Sequence, residues 1–331
     1  MEWILTGVGV TLLLPTFVVG LMALLHFFLR RKYLHIIVRI YEETPFFNVP
    51  RGLPRSDAED VTFPTADGLG LRGCYIKTPH PRRGVILFGL EYNSTRWSCV
   101  PYCDHLVDAG YDVFAYEPRN QGDSGCEPNL QPLHWPCDRD VTDARAALAY
   151  LKGRPDADPL GVGLFGISKG AGAGLLAAMA DPYIRCAACD GMFSSTYTVV
   201  PYMRKWITIY NKSYFIQGLL PSWYYATLAR VAVARVERER GVKFLDLEPA
   251  LRRFRRPLLM MHGQRDGYIR PDMSRRLYEF ARTPKEFWLI PGANHNQGLH
   301  VAADEYKNRV RDFFDKYLAA SPAACDLAAV R

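Results

Sequence analysis

Across the middle of the chain, short apolar runs alternate with longer stretches of helical period. The runs cover residues 84–90, 112–116, 161–165, 184–189, 257–261 and 287–290, and the helical stretches cover 97–109, 137–151, 169–180, 271–282 and 301–318. Alternation of this kind predicts an α/β fold: a mostly parallel sheet with helices on both faces. Ahead of it, residues 61–64 and 69–77 flank Ala66-Asp67-Gly68, a hairpin turn, so the domain is expected to open with antiparallel strands. No internal repeat is visible.

Two segments break this rhythm. The interval between the runs ending near Asp190 and beginning at Pro257 is rich in aromatics, among them Tyr197, Tyr202, Trp206, Tyr210, Tyr214, Phe215, Trp223, Tyr224 and Tyr225. It is expected to form a helical cap over residues 194–256, at the sheet edge where such folds bind ligands, and to offer an apolar pocket. The second is the N-terminus. From Trp3 to Leu29 there is no Asp, Glu, Lys or Arg, and about 20 such residues cross the hydrocarbon core of a bilayer. One transmembrane helix is expected within residues 1–32. The basic flank Arg30-Arg31-Lys32 would face the cytoplasm by the positive-inside rule, making this a single-pass protein with a cytoplasmic domain. A cleaved signal peptide fits less well, because its basic residues would come first. Residues 33–41 read equally as an interfacial amphipathic helix or as an extension of the span, and 45–54 as a linker. The domain boundaries that follow are 1–32 for the anchor, 33–58 for the interfacial segment and linker, 59–193 with 257–318 for the core, 194–256 for the cap and 319–331 for a tail.

Composition narrows the functional classes. With 49% hydrophobic residues in 331 the chain can bury a large core, and its formal charge of +7 is concentrated near Arg30–Lys32, in 235–243 and in 252–256. That distribution suits a membrane-facing surface, and nucleic acid is not an expected partner. The eight cysteines have no zinc spacing, and the single CxxC, Cys186 to Cys189, lies in a strand-like run. No metal or organic cofactor is expected, and free thiols are favoured over disulfides. Asn93-Ser94-Thr95 and Asn211-Lys212-Ser213 match glycosylation acceptors, which a cytoplasmic domain would not use.

The chemistry-bearing residues sit at predicted strand ends. Gly166-Ile167-Ser168-Lys169-Gly170 follows an apolar run and precedes a helix of small residues. Strand, G-x-S-x-G, helix is the setting of a nucleophile elbow, in which Gly166 and Gly170 leave room for a tight turn that lifts Ser168 into the open. A serine needs a base, and the base needs an orienting carboxylate. Met261-His262-Gly263-Gln264-Arg265-Asp266 and Pro291-Gly292-Ala293-Asn294-His295-Asn296 close two later strands and offer Asp266 and His295. Asp190, at the end of the preceding strand, is the alternative acid, and His262 and His300 are competing histidines.

In this order of nucleophile, acid and histidine the chain resembles the α/β-hydrolase family over residues 59 to 318. Within that family it looks most like serine aminopeptidase-like and lysophospholipase-like hydrolases. The loop Tyr116-Glu117-Pro118-Arg119-Asn120-Gln121-Gly122-Asp123-Ser124 is similar to the family's D-x-R-G-x-G-x-S segment. The resemblance implies Ser168 as nucleophile, His295 as base and Asp266 as acid. It also implies an oxyanion hole, assigned to the backbone N–H groups of Leu90 and Lys169. Where many members carry His-Gly, this chain reads Phe88-Gly89-Leu90-Glu91, and a carboxylate at Glu91 is tolerable only if it points away or is paired, for instance with Arg119. Whether Leu90 or Glu91 is the second donor stays open. The implied function is hydrolysis of an ester or thioester of a hydrophobic, lipid-like substrate through an acyl-serine. Amide or N-terminal peptide hydrolysis is an alternative, and so is a non-catalytic binding protein on the same fold.

Overall fold

The computed structural model describes residues 2–43, 51–210 and 221–319, with the side chains of residues 1–15, 40, 196 and 204–210 outside that description. The chain separates into two compact units, residues 44–198 with 240–331, and residues 1–43 with 199–239.

The larger unit is built on one eight-stranded sheet in the order β1-β2-β4-β3-β5-β6-β7-β8. Its strands are β1 (Glu59–Pro64), β2 (Gly70–Ile76), β3 (Gly84–Gly89), β4 (Tyr111–Glu117), β5 (Val162–Ile167), β6 (Ile184–Asp190), β7 (Leu258–Gly263) and β8 (Lys285–Ile290). The pairs β1–β2 and β2–β4 are antiparallel and the other five are parallel. β3, β4, β5 and β7 are buried along their whole length, as strands covered on both faces must be. Successive side chains point to opposite faces. Val85, Leu87, Val162 and Leu164 therefore join one apolar layer with α3 (Asp138–Gly153), α4 (Lys169–Ala180) and the short helix Glu248–Arg253. Ile86, Phe88, Phe165 and Ile167 join the other, against α2 (Cys99–Asp108) and the helix Ala303–Phe314. At about 1.5–3 kcal/mol per fully buried aliphatic or Phe side chain, these two layers outweigh any local propensity.

Several expectations change in detail. The stretch 301–318 is broken at Ala302, where φ −134° and ψ 50° leave the helical region between helices Gly298–Val301 and Ala303–Phe314, and it ends in a π-helical turn, Asp315–Ala319. The basic cluster 252–256 is partly consumed inside the fold. Arg256 donates to the carbonyls of Ala178, Asp181 and Ile184, tying the end of α4 to β6, and Arg252 lies over the Phe280 ring at 4.3 Å. Seven cysteines are free thiols, Cys186 and Cys189 within β6, and Cys325 lies outside the described residues. The interval expected as a cap holds helices Ser195–Tyr210, Ser222–Arg240 and Glu248–Arg253, and its middle, 199–239, falls in the smaller unit. Trp206, Tyr210, Tyr214 and Phe215 have side chains outside the described residues, as do Asn211 to Ser213, most of the 45–54 linker and nearly all of the 319–331 tail.

In the smaller unit, α1 (Glu2–Glu42) is one helix, and His26 Nδ1 lies 3.1 Å from the Tyr224 hydroxyl. Phe17, Val19, Leu24, Phe27 and Phe28 are exposed on it. Among the described residues no helix is long and apolar enough to cross a membrane. The side chains of 1–15, which make up the first half of the stretch expected to span, are not among them.

The loop after β4 is held by buried ion pairs. Arg119 donates from Nε and Nη2 to Asp143 at 2.9 and 2.7 Å, and reaches Asp67 and Glu127 with the rest of its fork. Asp143 is 0% exposed, so removing its partner leaves a buried charge uncompensated. Arg119→Met is expected to cost about 3–5 kcal/mol in urea unfolding followed by circular dichroism, while Arg119→Met with Asp143→Leu should recover most of that loss.

Candidate active site

β5 ends at Ile167 and α4 begins at Lys169, so Ser168 alone makes the turn. It adopts φ 52° and ψ −116°, a region that costs a non-glycine residue roughly 1–3 kcal/mol. Its N–H donates to the Asp190 carbonyl at 2.7 Å. The flanking glycines permit the approach that follows: a Cβ on Gly166 would lie 2.4 Å from Ala171 Cα, and one on Gly170 2.3 Å from the Gly89 carbonyl carbon.

Parallel pairing sends the loops after β5, β6, β7 and β8 out of the same edge, and this brings together residues distant in sequence. Ser168 Oγ lies 3.0 Å from His295 Nε2, and His295 Nδ1 lies 2.6 Å from Asp266 Oδ2. The other Asp266 oxygen accepts the N–H groups of Tyr268 and Ile269 at 2.9 and 2.8 Å. Burial works to raise the Asp266 carboxyl, but His295, by charge and by hydrogen bond, outweighs it and holds the group below the ordinary carboxylate range. An ionised Asp266 selects the Nδ1–H tautomer of His295 and turns the Nε2 lone pair toward the Ser168 hydroxyl. Such an arrangement can take a proton from Oγ and stabilise the imidazolium that results.

The competing residues are placed elsewhere. The Asp190 carboxylate accepts from the Tyr306 hydroxyl at 2.9 Å rather than from His295, and burial pushes it up to about 6. His262, fully buried, has Nε2 2.7 Å from the Ile269 carbonyl and 3.3 Å from Asp266 Oδ2, and burial lowers its pKa. It backs the acid and does not reach Ser168. His300 is exposed on the short helix Gly298–Val301.

Leu90 follows β3 beside the elbow, where a Cβ on Gly170 would lie 2.4 Å from its carbonyl oxygen. Lys169 is the first residue of α4, whose opening N–H groups have no acceptor within the helix. Its side chain turns away and forms a buried pair with Asp140, Nζ to Oδ1 2.8 Å. The expected pairing of Glu91 with Arg119 does not occur, because Asp143, Asp67 and Glu127 occupy that guanidinium. Glu91 is 2% exposed, and neither carboxyl oxygen has a hydrogen-bond partner among the described residues. Burial, with the Asp190 charge adding to it, pushes its pKa up to about 8. Glu91 thus resolves its conflict with the site by holding its proton. Sequence reasoning missed Asp140, Tyr306 and the buried His134, none of which belongs to a recognisable motif.

Fold and site together define a class. A family profile described as the alpha/beta hydrolase family matches residues 87–309, and the chain belongs to that family. It is similar to the protein YfhR of Salmonella typhimurium, 25% identical over 276 residues that make up 81% of this chain and 84% of that one. A shorter likeness links it to thiohydrolase aneE of Aspergillus aculeatus, 28% identical over 128 residues, 38% of this chain and 39% of that one. Among solved structures, the Pyrococcus furiosus esterase Pf2001 superposes with a TM-score of 0.61 at 21% identity, over 83% of this chain and 98% of that one, a likeness of fold.

A buried acid whose folded pKa lies above its unfolded value near 4.5 stabilises the fold fully below that value, and the contribution is lost as pH rises through the folded pKa near 8. Glu91→Gln, neutral at every pH, is expected to melt at the wild-type temperature at pH about 4 and several degrees above it at pH about 8. Parallel melting curves across that range would show instead that Glu91 ionises freely.

Proposed function

We propose that this protein is a serine hydrolase that cleaves an ester or thioester of a hydrophobic acyl group. The observation that carries the reading is the continuous relay from Ser168 Oγ to His295 Nε2 at 3.0 Å and from His295 Nδ1 to Asp266 at 2.6 Å, at the edge of a parallel sheet. Ser168 Oγ attacks the carbonyl carbon as its proton passes to Nε2. The tetrahedral intermediate collapses, and the leaving alcohol or thiol takes that proton. Water then repeats the sequence on the acyl-serine: its proton goes to His295 and returns to Ser168 Oγ as the acid departs. The N–H groups of Leu90 and Lys169 are assigned to the developing oxyanion. An esterase and a thiohydrolase among the similar proteins support the ester and thioester classes. The Tyr268 ring, 5.7 Å from that of His295, supports an apolar substrate group.

The test is fluorophosphonate labelling of the full chain in detergent, with p-nitrophenyl ester hydrolysis beside it. Ser168→Ala should abolish labelling, His295→Ala should reduce it to background, and Asp266→Asn should lower kcat by roughly 10⁴, because the wrong tautomer would face Ser168. A folded wild-type protein that takes no label would overturn the assignment.

We further infer that the charge-free stretch from Trp3 to Leu29 anchors the protein in a membrane with the larger unit on the cytoplasmic side. The exposed apolar side chains between Phe17 and Phe28 support this reading. The chain is expected to stay with the membrane pellet through an alkaline carbonate wash, and its release into the supernatant would refute the anchor.

A further inference from the structure

The irregular segment between β4 and α3 carries His134, which is 2% exposed. Both its ring nitrogens are buried without a hydrogen-bond partner among the described residues. Three aromatic rings surround it, those of Tyr92 at 6.3 Å, Trp135 at 4.4 Å and Tyr268 at 5.6 Å between centroids. The Tyr268 ring also packs against His295, at 5.7 Å between centroids, and Lys169 Nζ lies over the Tyr92 ring at 5.8 Å. One ring, that of Tyr268, thus contacts both His134 and His295.

Burial pushes His134 down to about 3, with the charges of Lys169 and His295 acting in the same direction. A neutral imidazole has one N–H to donate and one lone pair to offer. Leaving both unmade in an aromatic enclosure is costly, and native folds rarely carry that cost without a reason. A purely structural role calls for an apolar ring, and Phe would fill the space without the penalty. By contrast, Tyr92 uses its hydroxyl on the Pro132 carbonyl at 3.2 Å, so the polar end of one neighbouring ring is already satisfied.

We propose that His134 is a specificity-determining residue that hydrogen-bonds a second oxygen of the substrate, a hydroxyl or oxo group on the acyl chain a few bonds from the scissile carbonyl. The preferred substrates are then esters or thioesters of oxygenated acyl chains. The inference rests on Ser168 as the acylated residue. A site built to hydrogen-bond a substrate oxygen rejects the analogue that lacks it, because its own buried groups are left unpaired, whereas an apolar pocket barely distinguishes the two.

The experiment compares p-nitrophenyl octanoate with derivatives bearing a hydroxyl or oxo group at successive positions from the β carbon outward, using the full chain in detergent. At the best position, wild-type kcat/KM should exceed that for octanoate by at least about tenfold. That ratio should collapse toward unity in His134→Phe and be partly restored in His134→Asn, which keeps a donor and an acceptor. Fluorophosphonate labelling in the same preparations separates the two readings: labelled Ser168 with no preference, or with a preference that survives in His134→Phe, overturns the role of His134 alone. A readout independent of turnover uses Ser168→Ala protein carrying ¹⁵N-histidine. The ring signal absent from its His134→Phe counterpart should shift with the best oxygenated octanoic acid and not with octanoic acid, and a shift with both or with neither overturns the proposal even if Ser168 takes no label.

Discussion

Everything at the site depends on one close approach of backbones. At the end of β5 the chain reverses within a single residue, and that is possible only because Gly166, Gly170 and Gly89 let the first turn of α4 lie against β3 and β5 without side chains between them. Ser168 is held in a conformation it would not choose, with φ 52°, and its N–H is anchored on the Asp190 carbonyl at 2.7 Å. The sheet supplies the anchor, since β6 pairs with β5 through Ile167 and Asp190. Strain at the turn is thus offset by the two apolar layers that clamp these strands.

The same burial sorts the acids of the site by their partners. Asp266 has an imidazole and two backbone N–H groups, and its charge is favoured. Asp190 has one tyrosine hydroxyl and is pushed up to about 6, whereas Glu91 has no side-chain partner among the described residues and is pushed up to about 8. Three carboxyls in one neighbourhood are shifted to three different extents, decided by what faces them rather than by depth, since all are nearly inaccessible. A neutral Glu91 lets an acidic residue stand next to Leu90 without placing a negative charge at the proposed oxyanion site.

Ion pairs extend this order to the loops. Arg96, shortly after Leu90 and Glu91, donates from both its backbone N–H and its guanidinium to Glu117 at the end of β4, each at 3.0 Å. Arg119 gathers Asp67, Glu127 and Asp143. Arg96 thus lashes the loop after β3 to the end of β4, and Arg119 ties the loop after β4 to α3 and to the turn between β1 and β2, so the segment carrying Leu90 is braced from outside while the elbow braces it from within.

Much of this was legible along the chain. Alternating apolar runs and helical periods determined the sheet and its two helical layers, because burial on both faces demands continuous apolar strands. The glycines around Ser168 determined the elbow, because no other residue fits there, and loop settings pointed to Asp266 and His295. Local pattern could not say that Asp266 rather than Asp190 faces His295, that Arg119 bypasses Glu91 for Asp143, or that Lys169 turns its side chain to Asp140. It gave no sign that His134, in a segment with no period, shares the Tyr268 ring with His295. Those are choices among partners far apart in sequence, made by the order in which strands enter the sheet. Residue type and spacing therefore determined which groups this protein could bring to a site, and only the tertiary structure decided which of them meet, because contact and desolvation are properties of neighbours in space.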